Sequence, residues 1–247
     1  MKPLYNLEKI KFATDQGTYE RAVDLYESKK VTNFKTDEII GYTALVLGTK
    51  PYRVRISRRY YDEGNCECYL GQNNTLCKHM VAVAIYAVMD GKKLNEEDKQ
   101  KIDSPVCSQK LGELHKEELA ETKKAVTSAM KYIKSYNGPS RIWFAYQNSL
   151  DEGCARLSKL LSDLPVSEQT AKLLIDMLLR LDKKLCTGGV DDSDGTVGGF
   201  MEDAVLMLQD YAKLDQNCIK AFEKLCKKET CFGWEEPLVR IFDEGLS

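Results

Sequence analysis

The chain reads as an α+β protein, a small N-terminal module of helix and antiparallel sheet followed by an all-α domain of antiparallel helices. Three observations lead there. Tyr52, Val54 and Ile56 alternate with Arg53 and Arg55, the period of a strand with one apolar and one cationic face. Ala171, Leu174, Leu178, Leu181 and Leu185 recur at steps of three and four, the period of a helix with one packing face. Between them, residues 91–112 are rich in charge and contain Asp103-Ser104-Pro105, the composition of a domain boundary. The expected organisation is a module over 1–92, a linker over 93–112 and a helical domain over 113–247.

Taken in order, a helix is expected over 18–28, with Ala22, Leu25 and Tyr26 on one side. Strands follow over 31–36, 39–47 and 52–57, the last two joined by the turn Gly48-Thr49-Lys50-Pro51. A short strand over 66–70 and a turn at Gly71-Gln72-Asn73-Asn74 lead into a closing helix over 75–89, capped by Asn74 or Thr75. Val81, Ala84, Ile85 and Val88 keep helical spacing and are expected to pack that helix on the sheet. Further helices are expected over 113–136, 141–150, 152–161, 168–185, 197–213, 216–227 and 235–244, with Gly138-Pro139-Ser140 ending the first. Their short connections imply antiparallel pairs.

Chemistry concentrates in one stretch. Cys66-x-Cys68, eight residues and Cys77-x-His79 supply three sulfurs and an imidazole, and His79 is one of only two histidines. Structural zinc takes four such ligands in a tetrahedron, with neighbouring sulfurs about 3.8 Å apart. On an extended strand, residues two apart share a face at roughly 6.6 Å, so Cys66 and Cys68 need a bent strand end to converge. Helical residues two apart diverge, which places Cys77 just before the closing helix and His79 in its first turn. Buried ordinary thiols are the plain alternative. A redox pair is another, although its usual spacing is C-x-x-C.

The pattern C-x-C, short spacer, C-x-H, then the apolar run Cys77-Lys78-His79-Met80-Val81-Ala82-Val83-Ala84, resembles the SWIM zinc finger. The preceding Gly17-Thr18-Tyr19-Glu20-Arg21-Ala22, the stretch 39–47 and Tyr52-Arg53-Val54-Arg55-Ile56 resemble the helix and strands that lead into the finger in bacterial members, so the likeness covers roughly residues 12–92. The resemblance implies a bound zinc ion held by Cys66, Cys68, Cys77 and His79. It also implies an accessory subunit, commonly assigned nucleic acid binding and often expected beside ATPases.

The composition, 43% hydrophobic and 30% charged, is that of a folded soluble chain. No run approaches the ~20 apolar residues of a membrane span, and the N-terminal residues lack an apolar signal core. The expected location is therefore cytoplasmic, with no membrane partner. A net charge of −2 gives no global attraction to nucleic acid. Locally, residues 50–93 hold eight Lys or Arg against four acids. Arg53, Arg55, Arg58 and Arg59, near Tyr60, Tyr61 and Tyr69, can contact phosphates with some stacking, or simply form a solvated sheet face with edge-protecting charge.

Other candidates read more plainly. Asp191-Asp192-Ser193-Asp194-Gly195 fails the calcium-loop register, since Gly195 at the sixth position puts Val190 at the first and Met201 at the twelfth, so it reads as a helix-capping turn. Cys107, Cys154, Cys186, Cys218, Cys226 and Cys231 are scattered without ligand spacing and are expected as ordinary thiols. His115 lies on a polar helix among Glu113, Lys116, Glu117 and Glu118 and is expected at the surface. No Walker loop, nucleophile elbow or supported carboxylate pair appears. The functional expectation is a non-enzymatic zinc-binding adaptor for an unidentified protein partner, such as an ATPase-containing assembly, with nucleic acid binding as the alternative and an enzyme a distant third.

Overall fold

The computed structural model describes residues 2–37, 39, 41–139 and 143–245, and the chain divides into two compact units, Met1–Lys101 and Ile102–Ser247. Of the expected elements, Ile40, Ser140, Arg141 and Ile142 lie outside the described residues.

The first unit opens with helix α1, Leu7–Phe12, capped by the Asn6 side chain and not foreseen from the sequence. Helix α2, Gln16–Glu27, starts two residues earlier than expected because the Asp15 carboxylate accepts the Thr18 N–H. Four strands follow: β1, Val31–Asp37; β2, Gly41–Leu47; β3, Pro51–Ile56; and β4, Asn65–Cys66. They form an antiparallel sheet in the order β1-β2-β3-β4. Ile39, expected within the second strand, sits exposed in the turn before it. Tyr42, Ala44, Val46, Val54 and Ile56 are buried on one face of the sheet. Against it packs α4, Lys78–Met89.

The expected strand over 66–70 is corrected. Only Asn65 and Cys66 pair with β3, and Tyr69–Gln72 form the one-turn helix α3. Cys68 causes this by capping the turn, its Sγ accepting the Gly71 N–H at 3.4 Å. The closing helix also begins three residues late: Cys77 is its N-cap and makes no side-chain capping bond, while Asn74 turns the chain at φ 54°. Nor is only one stripe of α4 covered. Every residue from His79 to Ile85 is buried, because α1 and α2 pack on the helix as well as the sheet.

Residues 93–101, the start of the expected linker, and Lys92 just before them are hydrogen bonded within the first unit. Tyr26 and Tyr19 donate their hydroxyls to the Lys92 and Asp98 carbonyls at 2.5 and 2.6 Å, and Lys101 Nζ donates to the Thr14 carbonyl at 2.8 Å. Leu94 is buried there, just before the short helix α5, Glu96–Lys99.

The second unit consists of α6, Lys116–Ala129; α7, Trp143–Ser162; α8, Glu168–Cys186; α9, Thr196–Leu214; a 3-10 helix, Gln216–Leu225; and α10, Glu236–Gly245. His115 is the exposed N-cap of α6, its N–H donating to Glu118 Oε2 at 2.8 Å. The two helices expected over 141–150 and 152–161 are one helix, α7. Gly153 does not break it, because a Cβ there would lie 2.7 Å from Ile133 Cγ1, so glycine permits close packing rather than a turn. Residues 216–225 form a 3-10 rather than an α-helix. Leu150, Leu157 and Leu161 meet Leu174, Leu178, Leu181, Met201, Leu208, Tyr211 and Phe222 in the core. The acidic turn caps a helix as expected: Asp192 accepts the Val197 and Gly198 N–H groups at 2.7 and 2.8 Å. One expectation about the cysteines is corrected, since Cys186 and Cys231 form a disulfide.

Candidate metal centre

Local structure carries four donors to one point. β4 delivers Cys66, the α3 cap is Cys68, the α4 cap is Cys77, and His79 occupies the first turn of α4. Their ligand atoms all lie within 4.8 Å of one another, and all four residues are buried. His79 turns Nδ1 toward the sulfurs, 3.7 Å from Cys66 Sγ and 3.9 Å from Cys77 Sγ. In tetrahedral zinc, with metal–sulfur and metal–nitrogen distances of about 2.3 and 2.0–2.1 Å, such atoms stand about 3.6 Å apart. The donor set fits that ion.

The surroundings hold these side chains in place. Tyr52 lies against the His79 ring with centroids 4.6 Å apart. Gly48 sits where these two rings meet: a Cβ there would lie 3.0 Å from Tyr52 Cε2 and 3.3 Å from His79 Nε2. Gly71 is more constrained: a Cβ there would meet the Cys66 carbonyl oxygen at 2.4 Å and Cys66 Cβ at 2.5 Å. Only glycine lets α3 fold down onto β4 and so bring Cys68 to Cys66. The hydrogen bond between Cys66 and Cys77 holds the Cys77 thiol well below its ordinary range, and the same bond, with burial, pushes Cys66 up. Thiolate is the form that ligates metal.

Residues 58–87, which contain all four donors and most of α4, match the family model of the SWIM zinc finger. The chain carries a SWIM zinc finger. No curated protein and no solved structure matches the chain. Zinc is the ion of this finger, and Cys66, Cys68, Cys77 and His79 would supply all four of its positions, as in structural sites. Bound there, zinc would tie β4, α3 and α4 together and add its binding energy to folding.

The predicted arginines do not form one surface with equal claims. Arg53 and Arg55 are exposed on the sheet face opposite the core, flanking the finger. Arg55 pairs across Thr43, which in turn pairs with Lys35, so two cations share a row across three strands. Arg58 and Arg59 follow the end of β3, and Arg58 Nε donates to the Lys2 carbonyl at 2.7 Å. Sequence reasoning missed Tyr52, Gly48 and Gly71 as supports of the finger. Gly71 had a signal, since its turn was already placed between Cys68 and Cys77, whereas Gly48 belongs to the turn before β3 and reaches His79 only through the fold.

Proposed function

We propose that this chain is a non-enzymatic cytoplasmic adaptor that uses Cys66, Cys68, Cys77 and His79 as zinc ligands and presents the rigid finger to a protein partner in a larger assembly, such as one containing an ATPase. The observation that carries the reading is the exposure of two large side chains on α3. Tyr69 is 80% exposed and Leu70 43% exposed, on a helical turn pinned to the metal centre by Cys68 and Gly71. Apolar and aromatic side chains on a fixed mount lose little entropy on docking and dominate interface energies. No described helix is long and apolar enough to cross a membrane.

Affinity capture of the tagged full chain from its native cell tests this. Tyr69→Ser with Leu70→Ser is expected to lower recovery of the principal partner at least about tenfold, the scale of losing a hot spot, with zinc content unchanged. Undiminished recovery by the double variant ends the reading.

A second reading rests on the cationic row of Arg55 and Lys35 and on the neighbouring Arg53. There the sheet face contacts phosphates. Replacing Arg53, Arg55, Arg58 and Arg59 with Gln would then lower the salt slope of retention on DNA or RNA by about 2 to 4, since each lost phosphate contact removes a little under one unit. Unchanged retention ends it.

A further inference from the structure

Outside the finger, the second unit holds an arrangement of sulfur and acid that the adaptor reading does not use. Cys186 is the last residue of α8, and Cys231 lies in the segment between the 3-10 helix and α10. Their Cα atoms are 5.6 Å apart and the sulfurs are bonded, yet both residues are exposed. They line one wall of an open cavity of about 770 Å³, with Leu185, Val190 and Phe232 as its apolar part. A cavity of that size admits a small organic molecule.

The third member is Asp182, which is buried one turn before Cys186. Its Oδ1 accepts the Cys231 N–H at 2.9 Å and the Trp234 indole N–H at 3.0 Å. Its Oδ2 lies 3.7 Å from Cys186 Sγ, and its carbonyl oxygen lies 3.3 Å from Cys231 Sγ. In the disulfide neither sulfur carries a hydrogen, so these two acceptors face sulfur with no proton to share. In the dithiol each sulfur becomes a donor with an acceptor already in place. The hydrogen bonds to Oδ1 and the buried Trp234 ring dock the Cys231 segment on α8 without help from the covalent bond. The pair can therefore open and close with its sulfurs still neighbours.

We infer that Cys186 and Cys231 form a redox-active site that exchanges with a low-molecular-mass thiol entering the cavity, with Asp182 serving the proton. The thiolate of the first thiol attacks Cys231 Sγ, the S–S bond breaks, and its electron pair leaves on Cys186. That sulfur sits beside a carboxylate and at the C-terminal end of a helix, both of which disfavour negative charge. It is a good leaving group only when protonated as the bond breaks, and Asp182 Oδ2 is placed to relay the proton released by the attacking thiol. A second thiol then attacks the mixed disulfide at its own sulfur, releasing the small disulfide and leaving Cys231 to take the second proton. Two thiols are oxidised to one disulfide, and the protein pair is reduced by two electrons. In a reducing cytoplasm a protein disulfide of this kind is transient and serves redox response.

The test uses the full chain purified without reductant, with glutathione as the thiol. Native alkylation followed by peptide mass spectrometry is expected to find Cys186 and Cys231 cross-linked, and millimolar glutathione to open them in the folded protein while zinc stays at one equivalent. Asp182→Asn keeps an oxygen for Cys231 N–H and Trp234 and removes the acid oxygen beside Cys186. It is expected to slow opening at least about tenfold without lowering the unfolding temperature of the oxidised protein. Three results would overturn the inference: opening only at the rate of global unfolding, an opening rate untouched by Asp182→Asn, or two free thiols accompanied by a second equivalent of zinc. The first and third are read on the unaltered protein, so they stand even where the variant fails to fold.

Discussion

The two cysteine sites of this chain solve the same problem of fixing sulfur in opposite ways. In the finger, three sulfurs and an imidazole come from fourteen consecutive residues, are buried, and converge on a space that suits a metal ion. In the helical unit, two sulfurs 45 residues apart meet at the surface and bond to each other. Burial separates them. The finger's four donors are buried, with Tyr52 and Gly48 against His79 and Gly71 against Cys66, whereas the second pair opens on a cavity. Exposure permits thiol exchange, and enclosure by four donors suppresses it.

The largest effect is expected where the metal is lost. Cys77→Ser removes the sulfur at the N-cap of α4, and structural zinc binding is worth about 10–16 kcal/mol in small finger peptides. Zinc content should fall from one equivalent to well below it, and limited proteolysis should cut within 58–87 while the helical unit persists as a resistant fragment. Survival of a protease-resistant finger in the metal-free variant would break the contrast between the sites.

A smaller effect is expected at the other site. Cys186→Ser removes a cross-link between residues 45 apart, which the chain-entropy model values at about 4 kcal/mol. Thermal unfolding of the helical unit should move down under non-reducing conditions, differ little from the parent protein in excess reductant, and leave zinc content unchanged. Gly71→Ala should have the smallest effect of the three. The added Cβ forces α3 away from Cys66 at an overpacking cost of about 1–3 kcal/mol, read as weaker zinc retention against a chelator with the helical unit's unfolding unaltered.

The same contrast explains what could be read in advance. Cys66, Cys68, Cys77 and His79 were legible because metal ligands supplied by adjacent turns leave a spacing in the chain. Cys186 and Cys231 left none, since a long-range pair depends on how helices pack and connectivity does not follow from positions. The sheet was legible in the alternation of β3, and the α8 face in its leucines. The strand expected over 66–70 failed because a cysteine replaced the usual capping residues, so α3 gave no ordinary start signal. The full burial of α4 had a signal that a one-face reading passed over: Met80-Val81-Ala82-Val83-Ala84-Ile85 is apolar without interruption, as suits a helix covered on every side.

That covered helix has a consequence for supply. α4 is at once the arm that carries His79 and the element on which α1, α2 and the sheet all rest. A newly made chain that finds no zinc thus loses the anchor of its central helix and exposes an oily segment that proteases and chaperones recognise. Metal availability would then act as a check on the folding of the whole first unit, Met1–Lys101.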